Sequence, residues 1–404
     1  MTAASRGPGP DAAYARWVAA CADAGWDPGP AAAPLIAEEV SVHDGLGRVS
    51  AAAVRARWPS PRFACAAMDG IAIAAGEVSD RPVPPSAFAW VDTGDPIPAR
   101  LDTVVERERV ELAADGSALI TGPLIRGRNV RASGEDFQAG QLLIPAGRRL
   151  RPADLGVAAA AGYAALPVAR QPVVAIIPTG DEIRPVGSVL GPGEFTDSNS
   201  VMLAARSARA GAVPVVTGVQ PDDPDVLAAT VRDAAGAASL VLVIAGSSRG
   251  RGDFTAAVVA QVGGVAVHGV AVRPGHPVLL GHVKLGAVRQ VRSGGTVPVI
   301  GVPGYPLAAA VVFELFAAPL LARLQGAVAR ERAFSRARLG RDWDSAPDVE
   351  DWVPVAVDRG GVAVPCEGHG AAAIGRLARA DAWWRIPIGQ GRFAEGDPIE
   401  VLSV

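Results

Sequence analysis

Between residues 173 and 326 the sequence alternates between strand-like apolar runs and helix-like segments, and this alternation constrains the fold more than any other feature. The runs at 173–178 and 240–245 are apolar throughout, which is typical of parallel strands buried on both faces. Asp197 is predicted to cap a helix that stops at Gly211, and Asp223 with Pro224 to begin the next helix. This pattern predicts an α/β domain with a mostly parallel sheet and helices on both of its faces.

The remaining residues are predicted to form further domains, because 404 residues exceed what one hydrophobic core usually organises. Short strand-like runs separated by Gly, Pro and Asp recur on both sides of the α/β domain. Helices are also predicted near 12–24, within 32–56 and at 154–163. The predicted boundaries are 1–60 plus 146–171 for a connecting helical domain, 61–145 for a β-rich domain, 172–326 for the α/β domain and 327–404 for a small C-terminal β-barrel-like domain.

Composition argues against several classes of function. A formal net charge of -3 is unlike that of proteins that bind the nucleic-acid backbone, which usually present a basic surface. Apolar runs such as 240–245 are far shorter than the roughly 20 residues that span a bilayer, so no membrane segment is predicted. Charged residues between Arg6 and Asp23 interrupt any signal-peptide core, and the three cysteines lack the spacing of zinc sites or disulfide pairs. We therefore expect a cytoplasmic protein.

Loops at the carboxyl ends of the predicted strands carry the candidate chemistry, because ligands bind there in open parallel sheets. The sequence Thr-Gly-Asp-Glu at 179–182 offers a hydroxyl and two carboxylates, which suit a metal, a proton transfer or an ordinary helix cap. The sequence Thr-Asp-Ser-Asn-Ser at 196–200 opens a helix, where free backbone N–H groups favour an anion. A simple N-cap explains the same residues.

Two further kinds of loop follow strands in this domain. The sequence Gly-Ser-Ser-Arg-Gly-Arg-Gly-Asp at 246–253 has the composition of a phosphate cradle, although it lacks the Gly-Lys-Ser/Thr ending of a nucleotide P-loop. Turns at 273–277 and 303–306 combine proline with glycine; such turns are often structural, but two in one sheet predict a shared pocket. Outside the domain, Asp69 and Thr93 lie in turns that ordinary β-turn chemistry also explains.

Taken in order, these segments resemble the molybdopterin molybdotransferase family, to which the C-terminal domain of gephyrin also belongs. The resemblance covers nearly the whole chain, and each segment is weak alone whereas the ordered set is specific. The segments are Ala67-Met68-Asp69-Gly70, Thr93-Gly94 with Pro96 and Pro98, Gly134-Glu135-Asp136, Thr179-Gly180-Asp181-Glu182, Asp197-Ser198-Asn199, Pro221-Asp222-Asp223-Pro224, Arg273-Pro274-Gly275 and 301–306.

The resemblance implies an enzyme that inserts molybdate into adenylated molybdopterin, releasing AMP and molybdenum cofactor, with Mg²⁺ required. It further implies an elongated four-domain subunit in a homodimer, whose active site joins the α/β domain of one subunit to the β domain of its partner. A molybdopterin adenylyltransferase and molybdoenzyme chaperones are implied as protein partners.

The resemblance also assigns roles to residues of this chain. The implied catalytic residues are Asp69, Thr93, Glu182, Asp222 and Asp253, of which Glu182, Asp222 and Asp253 are the implied metal ligands. Arginines 249, 251 and 273 are the implied contacts of molybdate, which is an anion. The implied ligand-binding residues are Thr179, Gly180, Asp181, Asp197, Ser198, Asn199, Gly246, Ser247, Ser248, Arg249, Arg251, Arg273, Pro274, Gly275, His276, Pro303 and Gly304.

Three departures from the family pattern keep a second function open. The family's Ser-Gly-Gly-Val-Ser-x-Gly run is replaced here by 245–253, a usual lysine by His276 and a usual asparagine by Tyr305. Since histidine is only partly charged near neutral pH, one permanent cation is lost. The alternative hypothesis is a protein of the same fold that binds, delivers or senses molybdopterin or its cofactor without catalysis. A scaffold role is a third hypothesis, which no sequence feature supports.

Overall fold

The computed structural model describes residues 7–27, 36–77, 82–244, 254–285, 295–327, 334–368 and 370–403. The chain divides into two compact units: a larger one of Met1–Ala37 with Ala169–Val404, and a smaller one of Glu38–Val168.

Helices and strands alternate most regularly in the larger unit. In the described part of the chain the α-helices are α1 (Pro10–Asp23), α2 (Pro152–Ala160), α3 (Ser198–Arg209), α4 (Pro224–Ala235), α5 (Phe254–Val262), α6 (Pro306–Val312), α7 (Ala318–Leu324) and α8 (Ile374–Ala378). Strands of the smaller unit and its margins are β1 (Ala37–Ser41), β2 (Val54–Arg55), β3 (Cys65–Ala66), β4 (Gly70–Ile73), β5 (Phe88–Val91), β6 (Thr103–Glu106), β7 (Val110–Leu112), β8 (Ala118–Ile120), β9 (Val130–Arg131), β10 (Leu142–Ile144) and β11 (Ala165–Ala169). Strands of the larger unit are β12 (Val173–Pro178), β13 (Ile183–Arg184), β14 (Phe195–Thr196), β15 (Val213–Val216), β16 (Leu240–Ile244), β17 (Gly263–His268), β18 (Val272–Arg273), β19 (Leu279–Lys284), β20 (Thr296–Val302), β21 (Phe334–Leu339), β22 (Trp343–Asp344), β23 (Glu350–Val357), β24 (Val362–Pro365), β25 (Ala382–Ile386), β26 (Arg392–Phe393) and β27 (Pro398–Ser403).

A six-stranded sheet in the order β15-β12-β16-β20-β19-β17 forms the centre of the larger unit. The first four strands run parallel, and β19 and β17 continue the sheet antiparallel. The prediction of a mostly parallel sheet is confirmed. The predicted caps are confirmed as well, since Asp197 accepts a hydrogen bond from the Ser200 N–H and Asp223 accepts from Asp225 and Val226.

Helices cover both faces of this sheet, as predicted. Successive residues of a strand point to opposite faces, so alternate apolar residues of β12 and β16 enter two separate hydrophobic clusters. The cluster with α1, α3, α6 and α7 contains Val174, Ile176, Leu240 and Leu242. The cluster with α4 and α5 contains Ala175, Ile177, Val241 and Val243.

Helix α1 packs against β17, β19 and β20, the antiparallel side of the central sheet. Its Trp17 is fully buried and donates its indole N–H to the carbonyl oxygen of Gly281 at 2.7 Å. The sequence predicted this helix but placed it in the connecting domain. The helix packs elsewhere in the structure because the carbonyl oxygen that accepts from Trp17 lies 264 residues away in the sequence.

The segment Pro306–Leu324, which contains α6, a π-helical turn and α7, is long and apolar enough to span a membrane by length and composition alone. This segment is longer than apolar runs such as 240–245, from which the sequence analysis predicts no membrane segment. In the structure 72% of its most apolar window is buried, and Glu314 forms ion pairs with Arg206 and Arg209 of α3. The segment is therefore a core helix of the larger unit.

A closed five-stranded barrel follows, in the order β23-β24-β21-β27-β25 with β25 returning to β23. Residues such as Leu339, Val355 and Ile386 fill its interior. The short strand β18, which lies between β17 and β19 in sequence, pairs in parallel with β23 from outside the barrel. The predicted C-terminal β-barrel-like domain is confirmed.

The smaller unit contains a three-stranded antiparallel sheet, β5-β4-β6, and several two-stranded pairs. The predicted helix at 154–163 forms as α2, where Arg151 and Asp154 make a capping box. The helix predicted within 32–56 is wrong for the described residues 36–56, which hold β1, a 3-10 turn and β2. Strand β1 forms because it pairs with β11, a partner that local sequence does not reveal.

Candidate functional site

The carboxyl ends of β12, β16 and β20 meet at one edge of the central sheet, because these strands are parallel neighbours. Thr179 ties two of them together, since its backbone N–H and its hydroxyl both donate to the carbonyl oxygen of Ile244, at 3.1 and 2.9 Å. The next residue, Gly180, has φ +132°, which a residue with a side chain rarely adopts. The Thr-Gly-Asp-Glu loop is thus held at the sheet edge.

A cavity of about 600 Å³ opens at this edge. It brings together seven of the sequence-predicted residues: Thr179, Glu182, Asp197, Ser198, Asn199, Pro303 and Gly304. The rest of its lining is Pro178, Ile183, Phe195, Thr196, Ile244, Pro277, Tyr305, Pro306, Ala372 and Ile374. The lining therefore combines polar side chains with apolar and aromatic ones.

Helix α3 begins at this cavity. The Asp197 carboxylate caps it by accepting from the Ser200 N–H at 3.0 Å, and Asn199 donates through Nδ2 to the Gly304 carbonyl at 2.7 Å. The Oδ1 atom of Asn199 is buried and has no hydrogen-bond partner among the residues that the structure describes, and neither has the Ser200 hydroxyl. Buried polar atoms are almost always hydrogen-bonded. Asn199 Oδ1 is therefore an acceptor available to an N–H or O–H group of a ligand.

Three acidic residues, Asp181, Glu182 and Asp222, lie near one another beside this edge. The backbone N–H of Asp222 donates to Asp181 Oδ1 at 3.2 Å. Burial raises the pKa of Asp222, a hydrogen bond with Asp181 opposes this, and the charges of Asp181 and Glu182 raise the pKa further. Since Asp222 lies at the surface, solvent screens much of the repulsion.

The predicted metal ligands are only partly brought together. Glu182 lies close enough to Asp222 for its charge to raise the pKa of Asp222. Asp253 lies outside the described residues. Among residues that the structure describes, no three His, Cys, Asp or Glu side chains form a metal-ligating group. The acidic neighbours suit a divalent cation in charge, but a complete ligand set is not present in this part of the chain.

In the turn at 273–277, the predicted anion contact Arg273 is already paired with a carboxylate. The guanidinium of Arg273 pairs with the buried carboxylate of Asp351, which also raises the pKa of Arg273 and accepts from the Ser345 hydroxyl. The ring Nδ1 of His276 lies 2.8 Å from the carbonyl oxygen of Val270. Arg273, Pro274, Gly275 and His276 do not line the cavity, although Pro277 does. Sequence could not show this, because Asp351 is 78 residues away.

Asp69 and Thr93 come together in the smaller unit. The hydroxyl and the backbone N–H of Thr93 each donate to Asp69 Oδ1 at 2.7 Å, and these bonds hold the pKa of Asp69 below its usual value. Gly70 has φ +155°, and a Cβ there would lie 1.9 Å from the carbonyl oxygen of Val105. The Met-Asp-Gly motif therefore needs glycine so that β4 can approach β6.

Several predicted residues cannot be placed. Gly246, Ser247, Ser248, Arg249, Arg251 and Asp253 lie outside the described residues. Conversely, the sequence did not predict the apolar residues of the lining, including Phe195, which is 62% exposed, and Ile374 of α8. An aromatic residue two positions before a predicted N-cap was a usable signal for Phe195; no local signal identified Ile374.

Three protein-family models match consecutive parts of the chain. A model of the MoeA N-terminal region (domain I and II) matches residues 22–162. A model described as a probable molybdopterin binding domain matches residues 175–323, and one of the MoeA C-terminal region (domain IV) matches residues 336–404.

Curated proteins and solved structures agree with these models. A molybdopterin molybdenumtransferase of Bacillus subtilis is 28% identical over 91% of this chain and 90% of its own length. One from Synechococcus elongatus is 29% identical over 92% of this chain and 95% of its own. The crystal structure of a molybdopterin biosynthesis MoeA protein from Pyrococcus horikosii superimposes with a TM-score of 0.77 at 29% identity, covering 98% of both chains.

Proposed function

We infer that this chain, which belongs to the MoeA family of molybdopterin molybdenumtransferases, is an enzyme that inserts molybdate into adenylated molybdopterin and releases AMP. The observation that carries this proposal is the cavity at the sheet edge, where the Thr-Gly-Asp-Glu loop and the Asp-Ser-Asn helix start meet. Its mixture of polar, apolar and aromatic lining residues suits a flat heterocycle that carries hydrogen-bonding and phosphate groups.

The residues of the cavity have separable tasks in this proposal. Asp197 fixes the start of α3, so that Asn199 Oδ1 accepts a hydrogen bond from an N–H or O–H group of the substrate. The backbone N–H groups at the start of α3 and the Ser198 hydroxyl orient its phosphate. Phe195 and Tyr305 exclude water from the heterocycle.

Glu182 and Asp222, with Asp253, are our proposed ligands for Mg²⁺. Bound there, the ion would neutralise phosphate charge on the adenylated substrate. What supports this assignment is that the charges of Asp181 and Glu182 contribute to raising the pKa of Asp222 at the sheet edge, an effect that a cation would relieve.

We propose a homodimer in which Asp69 and Thr93 of one protomer complete the site of its partner, as the family resemblance implies. The rigid Asp69–Thr93 pair supports a positioning task for this turn. We place the protein in the cytoplasm because its three cysteines are free and buried, as is usual in reducing compartments. A molybdopterin adenylyltransferase and molybdoenzyme chaperones are the proposed protein partners.

Activity with defined substrates tests this function. Purified protein with adenylated molybdopterin, Mg²⁺ and molybdate is expected to release AMP, measured by chromatography. Glu182→Gln should lower the rate at least about tenfold by removing a metal ligand. Glu400→Gln, an exposed glutamate on barrel strand β27, is the matched control and should leave the rate unchanged.

Two results would contradict the proposal in different ways. Tight binding of the pterin substrate without AMP release would instead support the binding, delivery or sensing function. An equal rate in Glu182→Gln and wild type would remove Glu182 from the site.

A further inference from the structure

Three arginines surround the end of β24 on the C-terminal barrel. Each donates one hydrogen bond to a different carbonyl oxygen in three consecutive residues: Arg341 to Pro365 at 3.1 Å, Arg376 to Cys366 at 3.1 Å and Arg379 to Glu367 at 2.9 Å. A guanidinium carries five N–H donors. Most donors of this arginine triad, Arg341, Arg376 and Arg379, therefore have no acceptor within the described residues.

The charge of the triad is also not fully neutralised. No carboxylate of the described residues lies within ion-pair distance of Arg341, Arg376 or Arg379, whereas nearby Arg273 and Arg385 are each paired with an acidic residue. Burial lowers the pKa of Arg376; Cys366 and Asp351 oppose this, and the positive charges of Arg341 and Arg379 lower it further. Asp351, whose charge acts on Arg376, already pairs with Arg273. The positive charges of the triad are therefore only partly offset.

Local packing holds the triad in place. A Cβ at Gly368 would lie 3.2 Å from the side-chain carbons of Arg376, so the backbone there packs on the stem of that arginine. Arg341 lies over the ring of Trp343, with 5.8 Å between the guanidinium carbon and the ring centroid. Held stems and free donors are what anion recognition by arginine requires.

The triad adjoins the cavity through α8. Ala372 and Ile374 line the cavity, and Arg376 follows two residues later. The carbonyl oxygen of Ala371 accepts from the Leu307 N–H at 3.0 Å, which fastens this loop to the first turn of α6. An anion on the triad would therefore lie within about one helical turn of the cavity wall.

We propose that the arginine triad is a binding site for a tetrahedral oxyanion with about two negative charges. Its ligand is either a free oxyanion such as molybdate or the phosphate of a nucleotide, since both present the same arrangement of acceptors. The inference goes beyond the proposed function and does not depend on it, because partly offset positive charge and free donors are present whatever reaction occurs at the cavity.

Equilibrium dialysis of the full chain against sodium molybdate, sodium sulfate and AMP, each alone, tests the site. We expect binding of at least one of these to weaken about tenfold in Arg379→Gln and in Arg341→Gln, because each loses charge-assisted hydrogen bonds. Arg379→Lys should retain part of the affinity, since lysine keeps the charge but not the planar set of donors. Arg359→Gln, an exposed arginine in a turn of the same barrel, is the control and should bind like wild type.

The source of the ligand follows from which of the three compounds binds more weakly to the arginine variants. A loss confined to molybdate and sulfate indicates a free oxyanion, and a loss confined to AMP indicates a nucleotide phosphate. The proposal is overturned if wild type binds none of the three, or if Arg341→Gln and Arg379→Gln bind all of them as wild type does. Thermal melting of every variant excludes misfolding as the cause. Oxyanion binding without AMP release in the activity assay would refute the proposed function and leave the triad standing.

Discussion

Among the acidic residues beside β12, Asp222 offers a test of the proposed metal site through its pKa. The pKa of Asp222 is raised mainly by burial and also by Asp181 and Glu182. A raised carboxyl pKa means that the folded state binds the proton more tightly, so stability is lost as pH rises through the folded pKa. At neutral pH without a divalent cation, Asp222 therefore weakly destabilises the fold.

Replacing this carboxylate tests both its charge and its proposed ligand role. Asp222→Asn is expected to raise the melting midpoint by about one to two degrees at pH 7 without metal, and this gain should vanish near pH 3. Mg²⁺ should raise the midpoint of wild type but not of Asp222→Asn. Differential scanning fluorimetry with and without EDTA measures both effects. An equal response of the two proteins to Mg²⁺ would exclude Asp222 as a ligand.

Sequence predicted single residues well where their partners are near in the chain. Asp197 and Asp223 were identified as caps because a capping bond reaches only two or three residues ahead. Arg273 stays a predicted anion contact, but the sequence did not reveal its ion pair because the carboxylate partner lies in the barrel. The arginine triad was not predicted, because only folding brings Arg341 to the end of β24.

The N-terminal caps of α3 and α4 allow the stabilising effect of a cap to be compared with its effect on ligand binding. Asp197 begins α3 at the cavity, and Asp223 begins α4 without lining it. Asp197→Ala and Asp223→Ala should each lower the free energy of unfolding by about 1 kcal/mol, because each leaves helical N–H groups without an acceptor. Only Asp197→Ala should also weaken binding of AMP, since it releases Ser198 and Asn199 from their positions.

Urea unfolding and calorimetric titration with AMP separate the two effects. If Asp197→Ala binds AMP as tightly as Asp223→Ala, the start of α3 does not contact the ligand. If neither variant loses stability, these side chains do not act as caps in solution.

Elements were predictable where the apolar pattern alone decides their type. The buried strands β12 and β16 and the barrel strands fulfil this condition, because short continuous or alternating apolar runs are typical of buried strands. The helix predicted within 32–56 is wrong for residues 36–56, and strand β1 in this segment depends on β11, more than 120 residues later. The packing of α1 on the central sheet depends in the same way on a distant partner.

Assembly can be tested at the scale of the whole molecule by combining defective chains. If each active site joins the α/β domain of one protomer to the β domain of its partner, co-expressed Asp69→Ala and Glu182→Ala chains form one intact site in every mixed dimer. Random pairing makes half of the dimers mixed, so activity should recover to about a quarter of wild type. The measurement is AMP release by the co-purified mixture.

Mixing Asp69→Ala with Thr93→Ala provides the control. Both substitutions lie in the smaller unit, so no dimer of these chains has an intact site and no recovery is expected. Recovery in neither mixture, with each single variant inactive, would place the whole site within one protomer. Light scattering of wild type should give twice the chain mass of 41.1 kDa.

The pairing of β18 with β23 has a consequence for how such proteins can change over evolutionary time. The Glu350 N–H donates to Ala271, and Arg273 holds Asp351, so the barrel is anchored by a segment encoded well before it. Recombination that replaced all residues after 326 would leave Arg273 without its carboxylate partner and β18 without the strand with which it pairs. We therefore expect that a foreign barrel would be accommodated only if it supplied an acidic strand able to pair with β18 and Arg273.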